Sequence, residues 1–266
     1  MAPTEALPPP NELTRRDDTL VRRLAPVTWM AVAFALLATL WSAWDNDWTT
    51  DEPMHLEWSR RLMDQGRTER LSKLHFNSKT PVTVLNQAAR RFARGVIHVR
   101  DPRAARLAAR APGLLWLGVV LGATFLLARR CAGPVAAHLA TLAVALDPNL
   151  IANSSIATVD TAYAAATLLT VAAALSFTER PGVAAGAALG LALGLAFSIK
   201  FTAFLLIPAV LLLPLGAPEG GSRLWAARRP AVAGAAVALG TSVAFVCASY
   251  LFIQVGVPIG QVPWRS

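Results

Sequence analysis

Charged residues are scarce in this chain. They make up 15% of the 266 residues, against about 25% in soluble domains. With a hydrophobic content of 55% and a mean hydropathy of +0.46, that deficit excludes an ordinary soluble domain and points to an all-α polytopic membrane protein. Cysteine is nearly absent: Cys131 follows an arginine pair and Cys247 lies in an apolar run, so no disulfide framework is available. The four histidines, His55, His75, His98 and His138, lack compact ligand spacing; a divalent metal is compatible with the sequence but not indicated by it. A cleavable leader is missing too. Met1 to Leu24 is Pro-rich and charged, without a hydrophobic stretch beside a small-residue cleavage site. It reads as part of a disordered cytoplasmic tail, residues 1–26, ahead of an uncleaved signal anchor. Nor is there a compact basic domain. The net charge of +9 is spread between apolar runs, which argues against a nucleic-acid partner. It favours basic residues that hold cytoplasmic loops, meet anionic lipid or bind a phosphorylated ligand.

What the chain does have is apolar length. Seven stretches are candidate spans: Val27 to Trp44, Pro112 to Leu127, Pro134 to Leu146, Thr161 to Phe177, Gly182 to Ser198, Phe201 to Leu215 and Ala231 to Ile253. Several fall short of the roughly 20 residues of a full span, so their ends draw on flanking residues. Arginines precede the first stretch and follow the second, fourth and sixth, at 15–23, 129–130, 180 and 223–229. Every other connection is therefore basic, as a cytoplasmic N-terminus with seven spans requires. The expected organisation is a membrane module over 27–255, placed in the plasma or inner membrane, and an outer-face tail over 256–266.

The long first outer loop, 45–111, carries many arginines, which loops of that length tolerate. Met54, Trp58 and Leu62, and likewise Val82, Leu85, Ala89, Phe92 and Val96, recur at helical spacing among cations. They predict two amphipathic interfacial helices with apolar faces toward lipid. Asp101-Pro102 and Asp147-Pro148 predict helix starts. Gly182, Gly186, Gly190 and Gly194 fall on one helix face, whose ordinary meaning is close helix packing.

The stretch Asp45 to His55 is the densest in polar chemistry, with four carboxylates, one tryptophan and a histidine directly after the first span. On the same predicted side lie Lys79, Arg110, Asp160 and Lys200. A carboxylate can take a proton from an acceptor, and a cation can neutralise a phosphate leaving group. A lipid-phosphate donor would also need a greasy channel, which Phe201 to Leu215 could border. The plainer readings are solvated loop charges for Asp51 and Glu52, a helix cap for Asp160, and interface anchoring for Lys79, Lys200 and Arg110. Asp45 and Asp47 read as solvated loop charges, with Trp44 and Trp48 as interface anchors.

Thr50-Asp51-Glu52-Pro53-Met54-His55 after a first span, then Asn77-Ser78-Lys79-Thr80-Pro81, then Ala108-Ala109-Arg110-Ala111-Pro112 entering the second, resembles the polyprenyl-phosphate-dependent glycosyltransferases of the GT-C fold. Ala145-Leu146-Asp147-Pro148, Ser154, Ser155 and Asp160, and the glycine-rich run ending at Lys200, extend the similarity, which covers roughly Thr50 to Leu215. It is closest to the branch of protein O-mannosyltransferases and the lipid A aminoarabinose transferase. The resemblance implies an inverting membrane glycosyltransferase acting on the outer face. Its donor would be a polyprenyl-phosphate-linked sugar, and its acceptor a protein, lipid or glycan. It implies Asp51 as catalytic carboxylate, Glu52 as its support and Asp160 as the second acid, with His55 as a possible accessory. It also implies Lys79, Arg110 and Lys200 at the donor phosphate, although Thr80 separates Lys79 from Pro81. The family pattern continues beyond seven spans, so a fragment or a partner subunit completing the C-terminal part is expected. The alternative function is a non-catalytic lipid-phosphate-binding or assembly subunit.

Overall fold

A computed structural model describes residues 10–65, 80–216 and 220–250. Those residues are helical without strands: α1 (Pro10–Asp45), α2 (Glu52–Gln65), α3 (Val82–Gly95), α4 (Pro102–Ala145), α5 (Pro148–Ser154), α6 (Asp160–Glu179) and α7 (Val183–Ile199). A 3₁₀ turn (Phe201–Leu205) follows, then α8 (Leu206–Gly216), α9 (Gly220–Ala226) and α10 (Arg228–Ser249). Among them, four helices are long and apolar enough to cross a membrane, and a fifth is counted if Phe201–Gly216 and Gly220–Ala226 form one bent span. The chain is thus a polytopic all-α integral membrane protein, with Val183–Ile199 as a further, shorter apolar helix. The expected tail 256–266 lies outside the described residues.

As far as they are described, the seven apolar stretches fall in helix apart from a few terminal residues, but they are not seven separate helices. The second and third are the two legs of α4, which breaks at Gly133 with φ 86° and ψ 179°. Glycine enters that left-handed region without a Cβ clash, and Pro134 after it lacks an N–H and disfavours a helical predecessor. The chain doubles back there. The rings of Phe125 and His138 lie 5.3 Å apart, where a straight helix would separate 13 residues by about 20 Å. Leu117 and Leu121 of the first leg share a core with Ala145 of the second and with Ala31 and Ala35 of α1.

At the N-terminus the structure departs from expectation: residues 10–26 are helical and continuous with the first span. Once the apolar part forms, each added residue costs no new nucleation, so the helix extends into the polar segment. At α7 the glycines do bring helices together. A Cβ on Gly186, Gly190 or Gly194 would run into Gly234, into Ala238 and Thr241, or into Phe245 of α10, whereas Gly182 has room. The two proline starts hold as well. Asp101 accepts from Arg103 N and Ala104 N, and Asp147 from Asn149 N.

The two short helices after α1 meet the expectation of lipid-facing apolar sides only in part. Trp58 and Leu56 of α2 are buried in the protein, and Ser59 Oγ bonds Thr83 Oγ1 of α3 at 2.8 Å. Of the predicted apolar set on α3, Leu85, Phe92 and Val96 are exposed, while Val82 is buried with Val159, Ala162 and Ile199. The inner face of α3 is instead mostly polar, carrying Thr83, Asn86 and Gln87. A short helix packed over other helices must bury one side, and here that side includes hydrogen-bonding groups.

Candidate functional site

The site is built on the turn Thr49-Thr50-Asp51-Glu52 that leads into α2, where Asp51 O accepts the first helical N–H, from His55. Glu52 reaches back to accept from Thr49 N at 2.8 Å and from Thr49 Oγ1 at 3.2 Å. Its two oxygens also receive Arg110 of α4 as a bidentate pair, Nε to Oε1 at 2.8 Å and Nη2 to Oε2 at 2.7 Å. Ala157 N, between α5 and α6, donates to Oε1 at 2.7 Å. Both side chains are fully buried. Burial alone would raise the Glu52 carboxyl's pKa, but the Arg110 hydrogen bonds, the two backbone N–H donors and the Arg110 charge outweigh it, and the net shift is downward.

Arg110 has a second task. Its Nη1 donates to Ala43 O at 2.9 Å and Asn46 O at 2.8 Å, and its Nη2 to Asp47 O at 2.7 Å. These are carbonyls at and just past the α1 C-terminus, which have no partner within the helix and face the negative end of its dipole. With the two bonds to Glu52, all five guanidinium N–H groups are accounted for. The assignment of Arg110 to a donor phosphate therefore gives way to a structural one, because no N–H is left for a ligand. One turn earlier, Arg106 donates to Asp47 Oδ1 at 2.9 Å, although the Asp47 carboxylate remains exposed. The indole of Trp48 lies beneath two guanidinium carbons, Arg110 at 5.5 Å and Arg90 of α3 at 5.4 Å.

Asp51, next to this knot, is exposed and its side chain has no polar partner among the described residues. His55 follows one turn on, its N–H donating to Asp51 O at 3.0 Å. Asp160 opens α6 three residues after Ala157 and is ion-paired with Lys200 at the end of α7. Lys200 Nζ also sits 5.6 Å from the Tyr163 ring. Both members of this pair are partly exposed. Val159 and Ile199, their chain neighbours, pack against Val82 at the start of α3. So Asp51, Glu52, Arg110, Asp160 and Lys200 are brought to one end of the bundle; Lys79 lies outside the described residues.

Sequence reading missed Arg106, Trp48, Thr49 and Arg90. Arg106 with Arg110 at i,i+4 was a usable signal for the arginine row. An apolar groove is present beside α1. About 570 Å³ opens along Phe34, Leu37, Trp41 and Trp44 of α1 and Leu107 of α4, and Phe201 to Leu215 does not line this groove. Among the described residues no three His, Cys, Asp or Glu side chains gather as a metal site would need.

Comparison with known proteins adds one positive finding. A family model described as dolichyl-phosphate-mannose-protein mannosyltransferase matches residues 101–248, more than half of the chain. No curated protein and no solved structure gives a significant match.

Proposed function

The chain belongs to the dolichyl-phosphate-mannose-protein mannosyltransferase family, a family of membrane glycosyltransferases, and we propose that it transfers a sugar from a polyprenyl-phosphate donor to an acceptor hydroxyl or amine on the outer face. The anomeric carbon bonds to the acceptor atom as its bond to the phosphate oxygen breaks, with inversion. The acceptor proton passes to Asp51, and polyprenyl phosphate leaves with the electron pair. Lys200, with Lys79, neutralises charge growing on that phosphate. Asp160 releases Lys200 as the phosphate arrives, and Glu52 acts by position. The arginine-rich connections at the opposite end of the bundle support an outward-facing site and a cytoplasmic N-terminus.

One observation carries this reading: a saturated, buried Glu52–Arg110 pair fixes the backbone beside Asp51 while leaving the Asp51 carboxylate uncommitted. A general base needs exactly such a free, held carboxylate within reach of a proton. The test is transfer from a labelled polyprenyl-phosphate sugar in proteoliposomes. Asp51→Asn is expected to lower the rate by about 10²–10⁴-fold with the melting temperature unchanged; an unaltered rate removes this carboxylate from the mechanism.

A further inference from the structure

Most of the arginines on α2 and on the first turns of α4 are paired with carboxylates among the described residues, whereas Arg90 of α3 is not. Arg60 and Arg61 hold Glu57, Arg91 holds Asp64, Arg106 holds Asp47 and Arg110 holds Glu52. Arg90 is half-buried at the centre of the inward face of α3, between Asn86 and Ala93, and no carboxylate among the described residues meets it. Its Nε is completely buried without an acceptor. Burial pushes its pKa down, and the like charges of Arg94 one turn on and Arg60 of α2 push it the same way. Leaving a guanidinium desolvated, unpaired and repelled is costly unless an anion arrives.

The group is also pre-oriented. The Arg90 guanidinium carbon lies 5.4 Å from the centre of the Trp48 ring, so the indole holds it in place while its polar edge can still donate. That places the Arg90 and Arg110 guanidinium carbons no more than about 11 Å apart, on the ring they share. One turn back on α3, Gln87 is 5% exposed and its Oε1 has no donor. A lone buried acceptor beside a lone buried donor fits a ligand that carries both an anionic oxygen and a hydroxyl.

We propose that Arg90 and Gln87 form a glycosyl-phosphate subsite on the inner face of α3, the guanidinium taking the phosphate and the amide oxygen a hydroxyl of the attached sugar. This rests on the donor chemistry proposed above. It adds a phosphate ligand in the place of Arg110, whose N–H groups are spent on Glu52 and α1.

Equilibrium binding to the full chain in neutral phosphatidylcholine nanodiscs tests it, with labelled polyprenyl phosphate and its sugar-bearing form as probes. Arg90→Gln is expected to weaken both probes about tenfold or more, and Arg90→Lys, which keeps charge but loses the planar fork, about threefold. Gln87→Leu is expected to weaken only the sugar-bearing probe, by about fivefold. Unchanged affinity in both Arg90 variants overturns the phosphate half, and equal losses for both probes in Gln87→Leu overturn the sugar half. Should Arg90→Gln lose its melting transition, Arg90→Lys decides. If phosphatidylglycerol in the nanodisc lowers wild-type affinity to the Arg90→Gln level, the anion is a lipid headgroup and the glycosyl-phosphate assignment falls. Because the readout is binding, a chain that binds normally but never turns over sinks the transfer reading and leaves the subsite standing.

Discussion

Two carboxylate–cation pairs sit at the same end of the bundle and behave as opposites. Glu52 and Arg110 are fully buried, and every donor and acceptor they carry is used within the fold. Asp160 and Lys200 are partly exposed and joined by a single bridge, with the Tyr163 ring as the lysine's other neighbour. The first pair ties the α1 terminus, the start of α2, α4 and the α5–α6 connection into one knot. A pair of that kind cannot exchange partners without exposing an unpaired buried charge. The second can trade its partner for a phosphate at small cost, since exposed bridges contribute about 0–1 kcal/mol. Both joined residues of different helices, yet only one of them is free to meet a substrate.

The contrast breaks most visibly at Arg110. Arg110→Met leaves Glu52 buried without its countercharge and the α1 carbonyls without donors, and is expected to cost about 3–5 kcal/mol. Thermal unfolding in detergent measures this; a loss below about 1 kcal/mol would make the two pairs equivalent. A smaller effect follows from pH. The Glu52 carboxyl is held below its ordinary 4.5 in the fold, with burial opposed and outweighed by Arg110 and the backbone donors. Its stabilisation is therefore complete above about pH 4.5 and is lost as pH falls through the lower folded value. Glu52→Gln is expected to flatten the acid limb of the melting temperature against pH. The mildest change belongs to the exposed pair. Lys200→Gln is expected to shift stability by less than about 1 kcal/mol while lowering affinity for polyprenyl phosphate, read in the same nanodisc assay. A large fall in melting temperature would show that Lys200 is structural as Arg110 is.

Much of this arrangement was legible in the residues. Apolar length and charge scarcity settled the membrane class, because a bilayer accepts only segments with internally satisfied backbone and few charges. The proline-led starts after Asp101 and Asp147 followed from local capping, and the glycine face of α7 from 3.6-residue periodicity. Legible too was the gathering of acids and bases around Asp51, Asp160 and Lys200, since polar residues at span ends recur only where topology allows. The partnership of each residue was not legible. Glu52 and Asp51 are adjacent in sequence and look interchangeable, but one ends up inside and the other outside.

Local sequence by itself determined the helices, where they break at Gly133-Pro134, and which residues could carry charge near one end. Tertiary structure alone decided that Arg110 belongs to Glu52 and the α1 carbonyls, that α3 turns a polar face inward, and that Arg90 meets no carboxylate among the described residues. The reason is physical. Capping, periodicity and hydropathy act within a few residues, whereas hydrogen-bond saturation and burial depend on partners 50 to 100 residues away, such as Arg110 with Glu52 at a separation of 58 and Ala157 with Glu52 at 105. No local pattern encodes which of two neighbouring carboxylates such a partner will take.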